Sequence, residues 1–417
     1  MSSYSFDVLK LRDFRILFAT RLMAAMAMQA QAIIVGWQVY SLTKSAFMLG
    51  LVGLTEAIPA LSCALISGHI VDISRPHRVF ISCLAALACN MTFLFLVAGG
   101  IVTVPHAALV PCIFAGVFFS GIARSFIMPS SFSLQPQIVP RHLIPSAAAF
   151  LTSGFQAGVI CGPAIAGIIY GGYGATIAWT MPLSLMSMGF LLALGISSKH
   201  RSYRSQHQRE SAVVSIKSGW AFILSTKLLL CIMALDMFAV LFGGAVSMLP
   251  PYADQILHVG SQGLGILRAS PAFGAIAMTL YFAVRPMKIV RGDLLLGAVA
   301  GFGLSIIIFG LSHTFWLSML CLALSGAFDS ISMVIRQTLV QWLTPAHMRG
   351  RVSSVNSMFI ISSNEIGAFE SGLAAHFFCL VPSIIFGGIG TLAVVAATLK
   401  LFPRLHTTTI ESETKQA

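Results

Sequence analysis

Residues 197–227 read SSKHRSYRSQHQRESAVVSIKSGWAFILSTK. The first part is basic and polar. The second part, Ser211 to Leu224, sets apolar residues on one helical face, the pattern of a helix lying on a membrane surface. On each side of this segment the chain is almost continuously apolar. It therefore divides the sequence into a first half, residues 1–196, and a second half, residues 228–401, with a tail at 402–417.

A bilayer core needs ~20 apolar residues per crossing helix. Runs of that length fall at 15–40, 46–70, 79–99, 107–129, 146–170 and 174–196 in the first half. They return at 228–253, 262–284, 292–312, 314–338, 352–378 and 381–401 in the second. Composition agrees: 57% of the 417 residues are hydrophobic and 9% are charged, against ~25% charged in soluble domains. So much apolar surface must face lipid rather than one core. The expected class is an all-α membrane protein with twelve transmembrane helices in two six-helix bundles. The start, MSSYSFDVLKLRDFR, is mixed in charge and is followed by no small-residue cleavage site, so the first span is expected to stay in the membrane.

Net charge is +12, but the basic residues sit in short loops between apolar runs. That is the distribution membrane topology demands, not a nucleic-acid surface. With the N-terminus inside, twenty Lys and Arg fall in inner segments, from Lys10, Arg12 and Arg15 to Arg404 and Lys415, while the outer loops hold only Lys44. Both termini are thus expected in the cytoplasm. The eight cysteines all lie in apolar runs with no CxxC spacing, and no phosphate loop, HExxH motif or paired Cys/His site is present. No cofactor, metal or enzymatic chemistry is expected, and a monomer is the expected state.

The halves repeat. Shifting the first by 205 positions brings Gly121 onto Gly326, Ser125 onto Ser330, Leu134 onto Leu339 and Pro140 onto Pro345. The same shift brings His142 onto His347, Gly162 onto Gly367 and Gly167 onto Gly372. One offset linking spans 4 and 5 to spans 10 and 11 is the internal symmetry of a carrier built from two copies of one unit.

On these residues the chain resembles the major facilitator superfamily, and within it the enterobactin-exporter branch. The likeness runs through VGWQVYSLTKSAFMLGLVGLTEAIP, GVICGPAIAG, LDMFAVLFGGAVSMLPPYADQIL, GLGILRASPAFGA, IRQTLVQWLTPAHMRGRVSSVN and SSNEIGAFESG. It implies the major facilitator fold, with its two bundles pseudo-symmetric and spans 1, 4, 7 and 10 lining a cavity. GVICGPAIAG, with Gly158, Gly162, Pro163 and Gly167, resembles the antiporter motif found mainly in exporters; ordinary tight packing is the alternative. GHIVDISRPHR resembles the inner-gate loop, with Gly68, Asp72 and Arg78 matching while Ile73, Pro76 and His77 depart from it. Arg349 and Arg351, at the start of span 11, are candidates for inner-gate ion pairs or plain topology charges.

Nine charged residues lie within spans: Arg21, Glu56, Arg124, Asp236, Arg268, Asp329, Arg336, Glu365 and Glu370. A mid-bilayer charge costs at least ~2.5–3.5 kcal/mol, so these should pair or face a cavity. Proton coupling needs a buried carboxylate that is discharged in one state. Asp236, Asp329, Glu56 and Glu365 are the candidates, with Asp236 and Asp329 favoured because arginines lie at comparable depth. Arg21, Arg124, Arg268 and Arg336 are cavity candidates suited to an anionic cargo. Gln31 and Gln38, seven apart on one face of span 1, join them, with a helix–helix hydrogen bond as the alternative. The resulting expectation is a proton-coupled exporter of a small molecule, such as a siderophore, in a bacterial inner membrane. Multidrug/proton antiport and siderophore uptake remain open beside it, and a membrane-embedded enzyme or receptor is the reading from another class.

Overall fold

The computed structural model describes residues 3–197, 212–284, 289–345, 348–403 and 409–411. Its helices are α1 (Arg12–Thr43), α2 (Ala46–Ile73), α3 (Pro76–Ala98), α4 (His106–Ile138), α5 (Ile144–Ala193), α6 (Ala212–Ser225), α7 (Lys227–Phe242), α8 (Leu249–Gln255), α9 (Gly260–Val284), α10 (Gly292–Leu311), α11 (Phe315–Leu343), α12 (Arg349–Phe378) and α13 (Leu380–Leu401). Helices dominate because lipid offers no partner to backbone N–H and C=O groups, so each span must satisfy its own.

Twelve membrane helices follow from this order, and two of them arise in ways worth noting. α5 is one helical run holding two spans, broken where Gly174 adopts φ 80° and ψ 179°. That backbone conformation is nearly closed to residues with a Cβ, so the glycine makes the turn between spans 5 and 6. The seventh span is interrupted. α7 stops at Phe242, a 3-10 turn runs over Gly244–Met248, and α8 resumes at Leu249. Gly243 and Gly244 weaken the helix there, and Pro250 and Pro251 enter at the first turn of α8, where a missing N–H costs nothing. α4 runs to Ile138, nine residues past the expected end, with Pro129 and Pro136 carried inside it.

The chain packs as two compact units. The first comprises Met1–Lys44, Thr55–Arg209 and Gly260–Ala269; the second comprises Ser45–Leu54, Glu210–Val259 and Ser270–Ala417. Packing thus groups the first residues of α2 with the second unit and those of α9 with the first. In the second unit the core joins α7, α10, α11 and α13 through Ile232, Leu235, Leu295, Ile335, Leu339 and Val395. α6 packs on the start of α12 and on α7 through Ile223, Met233, Val352 and Val355. Among the described residues the only strands are β1 (Ile289–Arg291) and β2 (Thr409–Glu411), a three-residue antiparallel ladder tying the tail to the loop before α10.

The repeat is visible in how matched glycines are used. A methyl group added at Gly162 would lie 2.7 Å from the carbonyl oxygen of Met26 on α1, and one at Gly367 would lie 2.7 Å from that of Leu241 on α7. One at Gly167 would lie 2.6 Å from Gly265 Cα on α9, and one at Gly372 would lie 2.9 Å from Gly50 Cα on α2. Gly121 and Gly326 are each pressed against the backbone or ring of a proline-bearing helix, at Pro59 and Pro271. Equivalent glycines thus meet equivalent helices, the small-residue crossings by which membrane helices approach closely.

Candidate functional site

The charged residues of the spans form distinct groups in each unit. In the first unit, the Arg124 guanidinium on α4 pairs with the Glu56 carboxylate on α2. The pair is accessible: the two side chains are 38% and 20% exposed. Along the same face of α4, one and two turns further on, stand Met128 and Ser131. Both meet Arg21 from α1. Arg21 Nη1 donates to Ser131 Oγ at 2.8 Å, and Nη2 donates to Met128 Sδ at 3.3 Å. Spacings of four and seven residues from Arg124 stack these groups on one stripe of the helix. The sequence reading missed Met128 and Ser131. Their positions relative to Arg124 were the signal that would have found them.

In the second unit, Arg336 on α11 pairs with Asp236 on α7. This pair is closed, with side chains 6% and 10% exposed. Two opposite charges so far from water persist only because each neutralises the other. The Arg336 Nε–H has no acceptor among the described residues. Asp329 lies seven positions before Arg336 on α11, half-buried, with no ion pair or hydrogen bond to any described residue. The next residue, Ser330, has its hydroxyl 3.3 Å from that of Thr279 on α9. Glu370 is half-buried on α12, and Arg268 is half-buried on α9.

The two glutamines of span 1 are held by other helices. Gln38 Nε2 donates to the Ala98 carbonyl at 2.5 Å, and its Oε1 accepts from Trp179 Nε1 at 3.1 Å. These two bonds join α1 to α3 and α5 through the Gln38 amide. Gln31 Oε1 accepts from Ser120 Oγ at 3.3 Å, a bond from α4 to α1. Buried polar groups in a span need such partners.

The motif glycines lie at close helix crossings. Gly158, Gly162, Pro163 and Gly167 are all buried in the first part of α5. Gly158 and Gly162 let α1 approach at Ala25–Met26 and Met26–Gln29, and Gly167 admits Ser261 and Gly265 of α9. Arg351 on the first turn of α12 donates from Nη1 to Ser218 Oγ of α6 at 3.1 Å. Arg78 is exposed on the first turn of α3. The side chains of Asp72, Arg349 and Glu365, and the basic run from Lys199 to Arg209, lie outside the described residues. Among the described residues no cluster of His, Cys, Asp and Glu could hold a metal ion.

Known proteins agree with this architecture. The family described as "Transmembrane secretion effector" matches residues 3–416. The Enterobactin exporter EntS of Citrobacter koseri is 25% identical over 388 residues, covering 93% of this chain and 91% of that protein. The Enterobactin exporter EntS of Escherichia coli O1:K1 is 24% identical over 393 residues, covering 94% and 92%. Among solved structures, a D323A mutant of the nucleoside transporter NupG superposes with a TM-score of 0.73 at 13% identity, over 94% of this chain and all of that one. An inward-facing bacterial homologue of the iron transporter ferroportin superposes with a TM-score of 0.71 at 16% identity, over 95% and 99%. The sequence match spans both halves, and the superpositions supply the fold: the chain belongs to the transmembrane secretion effector family, a branch of the major facilitator superfamily of multi-pass membrane transporters.

Proposed function

We propose that the chain is a proton-coupled secondary exporter of a small molecule such as a siderophore, set in a bacterial inner membrane with both termini cytoplasmic. Transport proceeds by alternating access. The observation that carries this reading is the division of the intramembrane charges. Glu56–Arg124 is accessible, Asp236–Arg336 is closed, and Asp329 is a carboxylate with no cation on it among the described residues. A static scaffold has no use for an unpaired acid in a span, since such a group is expensive there. A proton carrier needs one, loading it from one side and discharging it on the other. Asp236 and Asp329 are the coupling groups in this reading. Export is supported by the function in the relatives' names and by the resemblance of GVICGPAIAG to the antiporter motif.

The test is comparative metabolite profiling of deletion and complemented cells, iron-limited and iron-replete, in both medium and cell extract. The expected result is a compound that disappears from the mutant's medium and builds up inside. Its restriction to iron limitation supports a siderophore cargo. Sensitivity to unrelated drugs with no displaced metabolite would instead support multidrug antiport. An external compound left unused in the medium would reverse the direction.

A further inference from the structure

Arg21 is a fixed cation in a membrane helix whose partners are both neutral. Its guanidinium donates to the Ser131 hydroxyl and to the Met128 thioether, and it makes no ion pair with any described residue. Two other intramembrane arginines, Arg124 and Arg336, each meet a carboxylate. A guanidinium stays charged under all physiological conditions. A cation without a counter-charge in a span is costly, and neither of its partners can supply one. Thioether sulfur is moreover a weak acceptor. The neighbouring carboxylate, Glu56, is already engaged by Arg124. Among the described residues, the stripe Arg124, Met128, Ser131 on α4, with Arg21 opposite on α1, sets two guanidiniums beside one carboxylate, Glu56. It is also reachable, since Met128 is 46% exposed and the Arg124 side chain is 38% exposed.

We propose that Arg21, with Ser131 and Met128, forms an anion subsite that takes a carboxylate, phenolate or comparable oxyanion of the cargo. The incoming oxyanion replaces the Met128 sulfur on Nη2 and shares the fork with Ser131, converting a weak hydrogen bond into a charge-assisted one. Arg124 stands one further turn back on the same stripe, so an anion held by Arg21 lies toward a second cation. The subsite deepens the exporter reading and rests on it for its cargo, but its binding chemistry is measurable without transport.

The experiment titrates the purified full chain, in phosphatidylcholine nanodiscs at fixed ionic strength, with benzoate and with benzamide. The two probes share size and ring and differ in charge. The expected result is that wild type prefers benzoate by about tenfold or more. Arg21→Gln should lose that preference, whereas Arg21→Lys should keep part of it. Met128→Leu, which removes only the weak acceptor, should bind benzoate as tightly as wild type or more so. A benzoate preference that survives Arg21→Gln, or is absent from wild type, overturns the subsite. Should Arg21→Gln fail to fold, the Met128→Leu variant decides: loss of benzoate binding there would mean that the sulfur is part of a structural bond and not a place-holder. Failure of this subsite and failure of the exporter reading are separable. A neutral cargo found by metabolite profiling, with no benzoate preference, removes the subsite and leaves export standing. Arg21-dependent benzoate binding with no displaced metabolite does the reverse.

Discussion

The two ion pairs differ in what their removal should cost. Asp236 and Arg336 are 7% and 5% exposed. Arg336→Met leaves the Asp236 carboxylate charged or forces a proton onto it, and breaking a buried pair in this way costs ~3–5 kcal/mol. The double variant Asp236→Asn/Arg336→Met removes both charges and should recover most of that loss. A double-mutant cycle on thermal unfolding in detergent reads the coupling directly. Single and double variants of equal stability would mean that the pair does not hold the bundle. Glu56→Gln, at the more exposed pair, should cost less, ~0–1 kcal/mol by the same measurement. Asp329 makes the opposite case. With no partner to lose, Asp329→Asn should leave unfolding unchanged while abolishing export in the complemented strain. Export retained in both Asp236→Asn and Asp329→Asn would remove the coupling assignment. Residue chemistry of this kind was only partly legible in the sequence. Charge and depth singled out Asp236 and Asp329, but which arginine meets which acid depends on the rotation of each helix about its axis. The same limit hid the Gln38–Trp179 bond, which joins residues 141 positions apart.

At the scale of elements, glycine placement carries the argument. Gly162 lies under α1 so closely that any side chain meets backbone instead of a flexible tip. Backbone cannot yield without shifting a whole helix, so Gly162→Val and its repeat partner Gly367→Val should each destabilise by ~1–3 kcal/mol. Gly297 on α10 provides the contrast, because a methyl group there meets nothing within 4 Å. Gly297→Ala should be neutral or slightly stabilising. Thermal unfolding of the three variants separates close helix crossings from glycines of no structural consequence, and similar losses at all three would sink the distinction. The crossings were legible in advance because a single 205-position offset aligned Gly162 with Gly367 and Gly167 with Gly372. The breaks were less so. Gly243, Gly244, Pro250 and Pro251 are visible in the run 228–253, yet glycine and proline also occur in unbroken spans, as Pro111, Pro129 and Pro136 do in α4. Composition marks where a helix can break, and packing decides whether it does.

For the whole molecule, the fold was the most legible property, since bilayer thickness and backbone hydrogen bonding leave long apolar runs only one outcome. Its orientation rests on a separate physical argument, the cost of translocating Lys and Arg in short loops. Lys44 tests it. It ends α1 in a left-handed turn with φ 50°, and its ammonium lies 5.2 Å from the centre of the Tyr40 ring. A cation in an outer loop can be tolerated where an aromatic face meets it, by a cation–π attraction of ~0.5–1 kcal/mol. The exposed Arg78, at the start of α3, belongs to the opposite side. In a variant lacking the eight native cysteines, Lys44→Cys should react with a membrane-impermeant maleimide added to spheroplasts, and Arg78→Cys should react only after the cells are broken open. The reverse pattern would place both termini outside, and with them the α6 helix and the basic run before it. In that case the charge bias would need a cause other than topology, and an electrostatic role for the Lys199–Arg209 segment would become the first explanation to pursue.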